Sequence, residues 1–111
     1  MTERYLFENT DEQPWMCAAS KGVSYKSLRF DPDTRAGAVM IHMTPGTTYP
    51  RYRAHAGVEV LVLDGDLVVQ GTRVGRGAYA HVPAAAVLAP HTDSGCVLFV
   101  TFSGRVENLH A

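Results

Sequence analysis

The sequence predicts an all-β domain, a small antiparallel sandwich or barrel. Short apolar runs rich in Val, Ile, Leu and Phe recur along the chain, each closed by a Gly, Pro or Asp turn signal. No stretch carries a long, capped helical pattern. The one run of helix-forming composition, Ala84 to Ala89, is fenced by Pro83 and Pro90 and is too short to stand as a helix. Many short strands at regular spacing build sandwiches or barrels.

Residues 1–22 are polar and irregular, broken by Pro14 and Gly22, with Trp15 as the large apolar anchor. They read as an N-terminal arm that packs on the domain and can add an edge strand. The barrel is expected over residues 23–105, and residues 106–111 as a C-terminal tail. Ser24 to Phe30 alternates, and Asp31-Pro32-Asp33 turns the chain. Ala38 to Thr44 is an apolar run ended by Pro45-Gly46. Val58 to Leu63, VEVLVL, is the strongest strand signal, closed by Asp64-Gly65, with Leu67 to Gln70 at hairpin distance. Ala78 to Val82 lies between Gly77 and Pro83. Val97 to Phe102 follows, closed by Gly104.

Composition sets bounds on function. The 111 residues make one domain, and 46% hydrophobic content is too high for a disordered chain. Ten basic and eleven acidic residues are interspersed, so no electrostatic footprint for nucleic acid or an anionic membrane is expected. No apolar stretch approaches the roughly 18 residues of a membrane span. Met1 to Trp15 carries Glu3, Glu8, Asp11 and Glu12 and lacks the basic and apolar regions of a secretory signal, so a cytoplasmic setting is expected. Cys17 and Cys96 make no disulfide framework, although a single bridge between them stays open.

VEVLVL is apolar on both alternating faces except at Glu59. A strand open to water on one side should alternate cleanly with polar residues. Both faces are therefore expected to be covered, the outer one by the arm or by a second subunit, and a homodimer is favoured. Glu59 shares its face with Leu61 and Leu63. A carboxylate buried there costs several kcal/mol unless it is paired, hydrogen-bonded or metal-bound. Either Glu59 pairs with an arginine such as Arg53, or it is a metal ligand or a base. His55 could join it on a divalent metal such as zinc, iron or manganese, with a third ligand from His42, His81, His91 or a cysteine.

The stretch Gly46 to Gly65, which contains Tyr52-Arg53-Ala54-His55 and Glu59, resembles the first motif of the cupin superfamily. Gly77-Ala-Tyr-Ala-His-Val-Pro83, running on to Pro90, is similar to the second. Gly95-Cys-Val-Leu-Phe-Val100, Trp15 and Gly22-Val23 resemble one subgroup, which contains the cupin domain of ChrR-type anti-sigma factors and dioxygenases of acetylacetone and dihydroxyacetophenone type. The resemblance covers roughly residues 12–104. It implies a small antiparallel double-stranded β-helix, a jelly-roll-like barrel, commonly dimeric, with a central pocket. It also implies a metal held by His-x-His, a following Glu and a later His. Aligned without gaps, those positions hold Tyr52, Ala54, Glu59 and Leu88, so the inherited metal site is expected to be lost or rebuilt.

The expected site is then a pocket lined by Tyr52, Glu59, Leu61, Leu63 and Leu88, with Arg53, His55 and His42 as further ligand-binding candidates. No cofactor is expected. Glu59 would act as a base of raised pKa, and Tyr52 would donate a hydrogen bond to a developing oxyanion. The expected ligand is a small carbonyl-bearing or aromatic molecule, bound or transformed by metal-independent lyase, isomerase or cyclase chemistry. One alternative is a dioxygenase-type cupin with iron, zinc, nickel or manganese on His55, Glu59 and another His. A second is a non-catalytic sensor or interaction module.

Overall fold

The computed structural model describes residues 5–109. Ten strands follow one another: β1 (Met16–Cys17), β2 (Val23–Phe30), β3 (Gly37–Met43), β4 (Tyr52–Ala54), β5 (Val58–Val69), β6 (Thr72–Gly75), β7 (Tyr79–Val82), β8 (Ala86–Leu88), β9 (Cys96–Phe102) and β10 (Val106–Asn108). Their pairings are all antiparallel. The large sheet runs β1-β2-β3-β9-β5-β6, and β7 also pairs with β5; the small sheet runs β10-β4-β8. Side chains from both sheets meet in one core, with Met43, Val62 and Leu67 fully buried. The all-β barrel expected from the sequence is the fold observed. Among the described residues no helix is long and apolar enough to cross a membrane.

Two segments differ from expectation. Asp64-Gly65 does not end a strand, because β5 runs through it to Val69. The register against β9 slips between Val62 and Asp64, a bulge that changes which residues face inward. Before it the inward set is Val58, Val60 and Val62; after it Leu67 is inward again, so the even-numbered series gives way to an odd-numbered one. Gly65 sits at φ +80, and a Cβ there would lie 1.9 Å from the Gly95 carbonyl oxygen. Only glycine allows β9 to approach so closely. The true hairpin turn is Gln70-Gly71, both at positive φ, joining β5 to β6. At the C-terminus, residues assigned to a tail form β10, which pairs with β4 at Val106↔Ala54 and Asn108↔Tyr52.

The arm lies across the outer side of the large sheet. β1 adds to its edge through Met16↔Tyr25. Lys26, buried although charged, donates from Nζ to the Thr10 carbonyl at 2.5 Å and sits 4.5 Å from the Trp15 ring centroid. That hydrogen bond and cation–π contact offset part of the cost of burying an ammonium. Gln13 Nε2 donates to the Ser27 carbonyl at 2.7 Å. Cys17 is exposed, Cys96 is buried, and both are free thiols, which closes the question of a bridge between them.

Candidate functional site

The barrel encloses a cavity of about 310 Å³. This is at the lower end of the roughly 300–1,000 Å³ of ligand pockets. Its walls come from both sheets: Val39, Ile41 and Met43 of β3, Tyr52 of β4, Val58, Val60, Leu67 and Val69 of β5, Leu88 of β8, and Leu98, Val100 and Phe102 of β9. Strand alternation puts these residues on one side of each strand. Tyr49 and Pro90 join the wall from the connecting loops, tied by the Tyr49 N–H donating to the Pro90 carbonyl at 2.8 Å. Tyr49 and Tyr52 meet edge to face with centroids 5.5 Å apart. Burial raises the pKa of both phenols, and for Tyr52 the neighbouring Tyr49 raises it further. Both therefore stay protonated donors at neutral pH.

Tyr52 and Leu88 line the cavity and are register partners across β4 and β8. Most of the other site residues expected from the sequence lie elsewhere. Glu59, Leu61 and Leu63 face outward from β5, and the valines between them face in. The sequence pattern could not decide this, because both faces of VEVLVL are apolar. The structure resolves it by sending the charge outward, where it need not be desolvated, and packing compact β-branched side chains inside. Glu59 accepts from Tyr79 Oη at 2.6 Å and from Thr101 Oγ1 at 3.1 Å. The Tyr79 bond first, then Thr101, hold its carboxyl below the ordinary range, the reverse of the raised pKa expected.

Arg53 points out of the barrel by the same alternation, and His55, in the turn just past β4, is exposed. There His55 Nε2 lies 2.9 Å from Glu107 Oε1, and Arg53 lies 3.6 Å from the same oxygen. No bulge brings His55 inward, which removes the rearranged site that paired it with Glu59. His42 is on the outer face of β3 under Trp15, ring centroids 5.6 Å apart. Its inward neighbours on β3 are Ile41 and Met43.

A polar cluster that the sequence did not reveal lies outside the cavity. The Asp66 carboxylate accepts from the backbone N–H of Ser94 at 2.9 Å and of Asp93 at 3.2 Å, from Ser94 Oγ, and from Arg73 Nη1 at 2.9 Å. His91 bridges Thr48 Oγ1 at 2.8 Å and Asp93 Oδ1 at 2.9 Å, and Arg73 also pairs with Asp93. The Ser94 hydroxyl and the two N–H bonds drive the Asp66 pKa far below the usual aspartate range. This cluster staples the 90–95 loop to β5 and β6 and so fixes Pro90 at the cavity wall. Asp-Ser-Gly at 93–95 was the available signal, an N–H-rich turn able to receive a carboxylate.

The chain matches the family of the ChrR cupin-like domain over residues 3–106. It belongs to that family. No curated protein matches the sequence. Among solved structures, a cupin-like protein of unknown function from Ralstonia eutropha JMP134 superposes with a TM-score of 0.87 at 19% identity, covering 99% of this chain and 74% of the other. An acetylacetone dioxygenase from Acinetobacter johnsonii gives 0.80 at 14% identity, covering 97% and 78%. The anti-sigma factor ChrR of Rhodobacter sphaeroides, in complex with SigE, gives 0.72 at 18% identity; this chain matches over 85% of its own length and spans 50% of that one. At such identities these likenesses show the cupin fold.

A divalent metal is the group that the cupin resemblance implies, and the cavity does not fit it. Hard and borderline cations take imidazole, carboxylate or thiolate donors. Among the described residues, no His, Asp, Glu or Cys lines the cavity. The family's ligand positions hold buried Tyr52, Ala54 and Leu88, and the glutamate position points outside. Among the described residues no group of three His, Cys, Asp or Glu side chains stands together as a metal set.

Proposed function

We propose that this cupin domain binds a small carbonyl-bearing or aromatic molecule inside the barrel, without a metal and without turning it over. The observation that carries the reading is the cavity wall. Among the described residues that line it, all but Tyr49, Tyr52, Arg35 and Arg105 are apolar, and none is a carboxylate or an imidazole that could act as a base. An apolar wall with a few placed donors is the usual character of a small-molecule site. Tyr52 would donate to a carbonyl oxygen of the ligand, and the aliphatic wall would take its hydrocarbon part. Proton abstraction needs an acceptor within reach of the substrate, and Glu59 is on the wrong side of β5 for that. Binding without turnover suits a ligand-responsive module better than a lyase, isomerase or dioxygenase.

The homodimer expectation draws support from the outer face of the large sheet. Met40, Phe99, Leu61 and Tyr79 stand in one register row across β3, β9, β5 and β7. Leu61 is 36%, Leu63 38% and Tyr79 59% exposed, and the described part of the arm lies at the β2–β3 end of this sheet. A second copy would bury the row.

Calorimetric titration with butyrophenone, an aryl ketone, tests the binding reading. The expected result is saturable one-to-one binding that is lost when Val60→Phe or Leu98→Trp fills the cavity. Tyr52→Phe, which keeps the cavity volume, should weaken binding about tenfold, the value of one buried hydrogen bond. Binding unchanged by all three variants would refute the reading.

A further inference from the structure

We propose that the cavity selects ligands carrying an anionic head group, a carboxylate, which Arg35 and Arg105 receive at its mouth while the hydrocarbon body enters the barrel. This rests on the cavity being a ligand site, as argued above, and adds the chemical class of the ligand.

Both arginines line the cavity, and both are exposed, so they stand where it opens to water. They reach it from different connections, Arg35 from the β2–β3 hairpin and Arg105 from the link between β9 and β10. Among the described residues no acidic side chain lines the cavity beside them. Among the described residues neither forms an ion pair, whereas Arg53 pairs with Glu107 and Arg73 with Asp66 and Asp93. The Glu107 carboxylate feels the Arg105 charge but is already held by His55 at 2.9 Å. Two guanidiniums above an apolar hollow, Arg35 without an ion pair among the described residues and Arg105 sharing the Glu107 carboxylate with His55, form a field that low-dielectric walls focus. Guanidinium forks bind carboxylates in two-point fashion, and a pair of them favours an anion over a neutral polar group.

The backbone at Arg35 gives an independent indication. Its φ is +66, in the left-handed region that disfavours side chains with a Cβ. The turn imposes this conformation. Arg35 N–H donates to the Asp31 carbonyl at 2.7 Å, while the Asp31 side chain accepts from the Asp33 N–H at 2.9 Å. Glycine would sit there without strain, yet the position carries a long cation that reaches the cavity mouth and lies 5.9 Å from the Phe30 ring, itself part of the wall. Strain of this kind is a pointer to use.

The test is calorimetric titration with octanoate and with octanamide, its uncharged isostere. Octanoate is expected to bind about tenfold tighter than octanamide to the wild type. Arg35→Gly and Arg105→Gln should each weaken octanoate binding far more than octanamide binding and so remove most of that preference. Arg35→Gly should also melt at the same or a higher temperature, since it relieves the strained φ, so lost octanoate binding could not be ascribed to unfolding. Equal affinity of the two compounds for the wild type would overturn the anion selection and leave the cavity reading intact. Failure of both to bind would overturn the two together.

Discussion

Tyr52 combines a buried position, a raised pKa and a place in the cavity wall. Its hydroxyl therefore stays a donor across the physiological range, which suits a carbonyl acceptor. Glu59 is the contrasting residue. Its carboxylate is bonded to Tyr79 and Thr101 on the outer face, which keeps it ionised. Glu59→Gln should leave both the fold and butyrophenone affinity unchanged, and titration of the variant checks this; a clear loss of affinity would return Glu59 to the site. At this scale the sequence was informative about Tyr52 and Leu88, whose positions followed from the motif alignment. It was uninformative about Glu59, because one charge in a strand apolar on both faces fits two opposite orientations. Here the cost of desolvating a carboxylate outweighs the leucines' gain from an inward position. Arg53, His55 and His42 share that error of face.

Strands and their connections carry the next set of consequences. The bulge in β5 depends on Gly65, where a Cβ would collide with the Gly95 carbonyl oxygen at 1.9 Å. Gly65→Ala should cost at least about 2–3 kcal/mol, combining left-handed strain with displacement of β9; denaturant unfolding measures it. Asp-Gly between two apolar runs reads as a hairpin turn in sequence, and only the close approach of β9 marks it as a bulge. β8 was equally hidden, since Ala84 to Ala89 has helical composition and became a strand through its pairing with β4. The Asp66 cluster makes stability acid-sensitive. The folded pKa of Asp66 lies below its unfolded value, so its contribution is complete above the ordinary aspartate range and is lost as pH falls through the lower, folded value. Asp66→Asn should therefore melt below the wild type at about pH 7, and the gap should narrow at about pH 2. Thermal melts across pH check this; a constant gap would mean that the cluster holds Asp66 by something other than its charge.

As a whole the molecule is a cupin barrel whose described interior is lined mainly by hydrocarbon side chains. The fold was legible from the spacing of apolar runs and turns, because alternation and punctuation reflect local backbone chemistry. The cavity's polarity was legible in part, from Tyr52, Ala54 and Leu88 at the metal positions. The two arginines of the cavity wall were not, because Arg35 and Arg105 lie seventy residues apart in sequence and reach one cavity only through the barrel's topology. The outer face yields a further prediction at this scale. Sedimentation should show a dimer for the wild type and a monomer for Leu61→Glu, with the circular dichroism spectrum retained; a wild-type monomer at all concentrations would remove the second copy. The central claim, a metal-free ligand cavity inside the barrel, is tested most directly by methyl NMR of chelator-treated protein titrated with butyrophenone. Saturable shifts at Ile41, Val60 and Leu98, with Leu61 and Leu63 unmoved, are the predicted result. Shifts confined to Leu61 and Leu63, or binding that appears only after a divalent metal is restored, would contradict it.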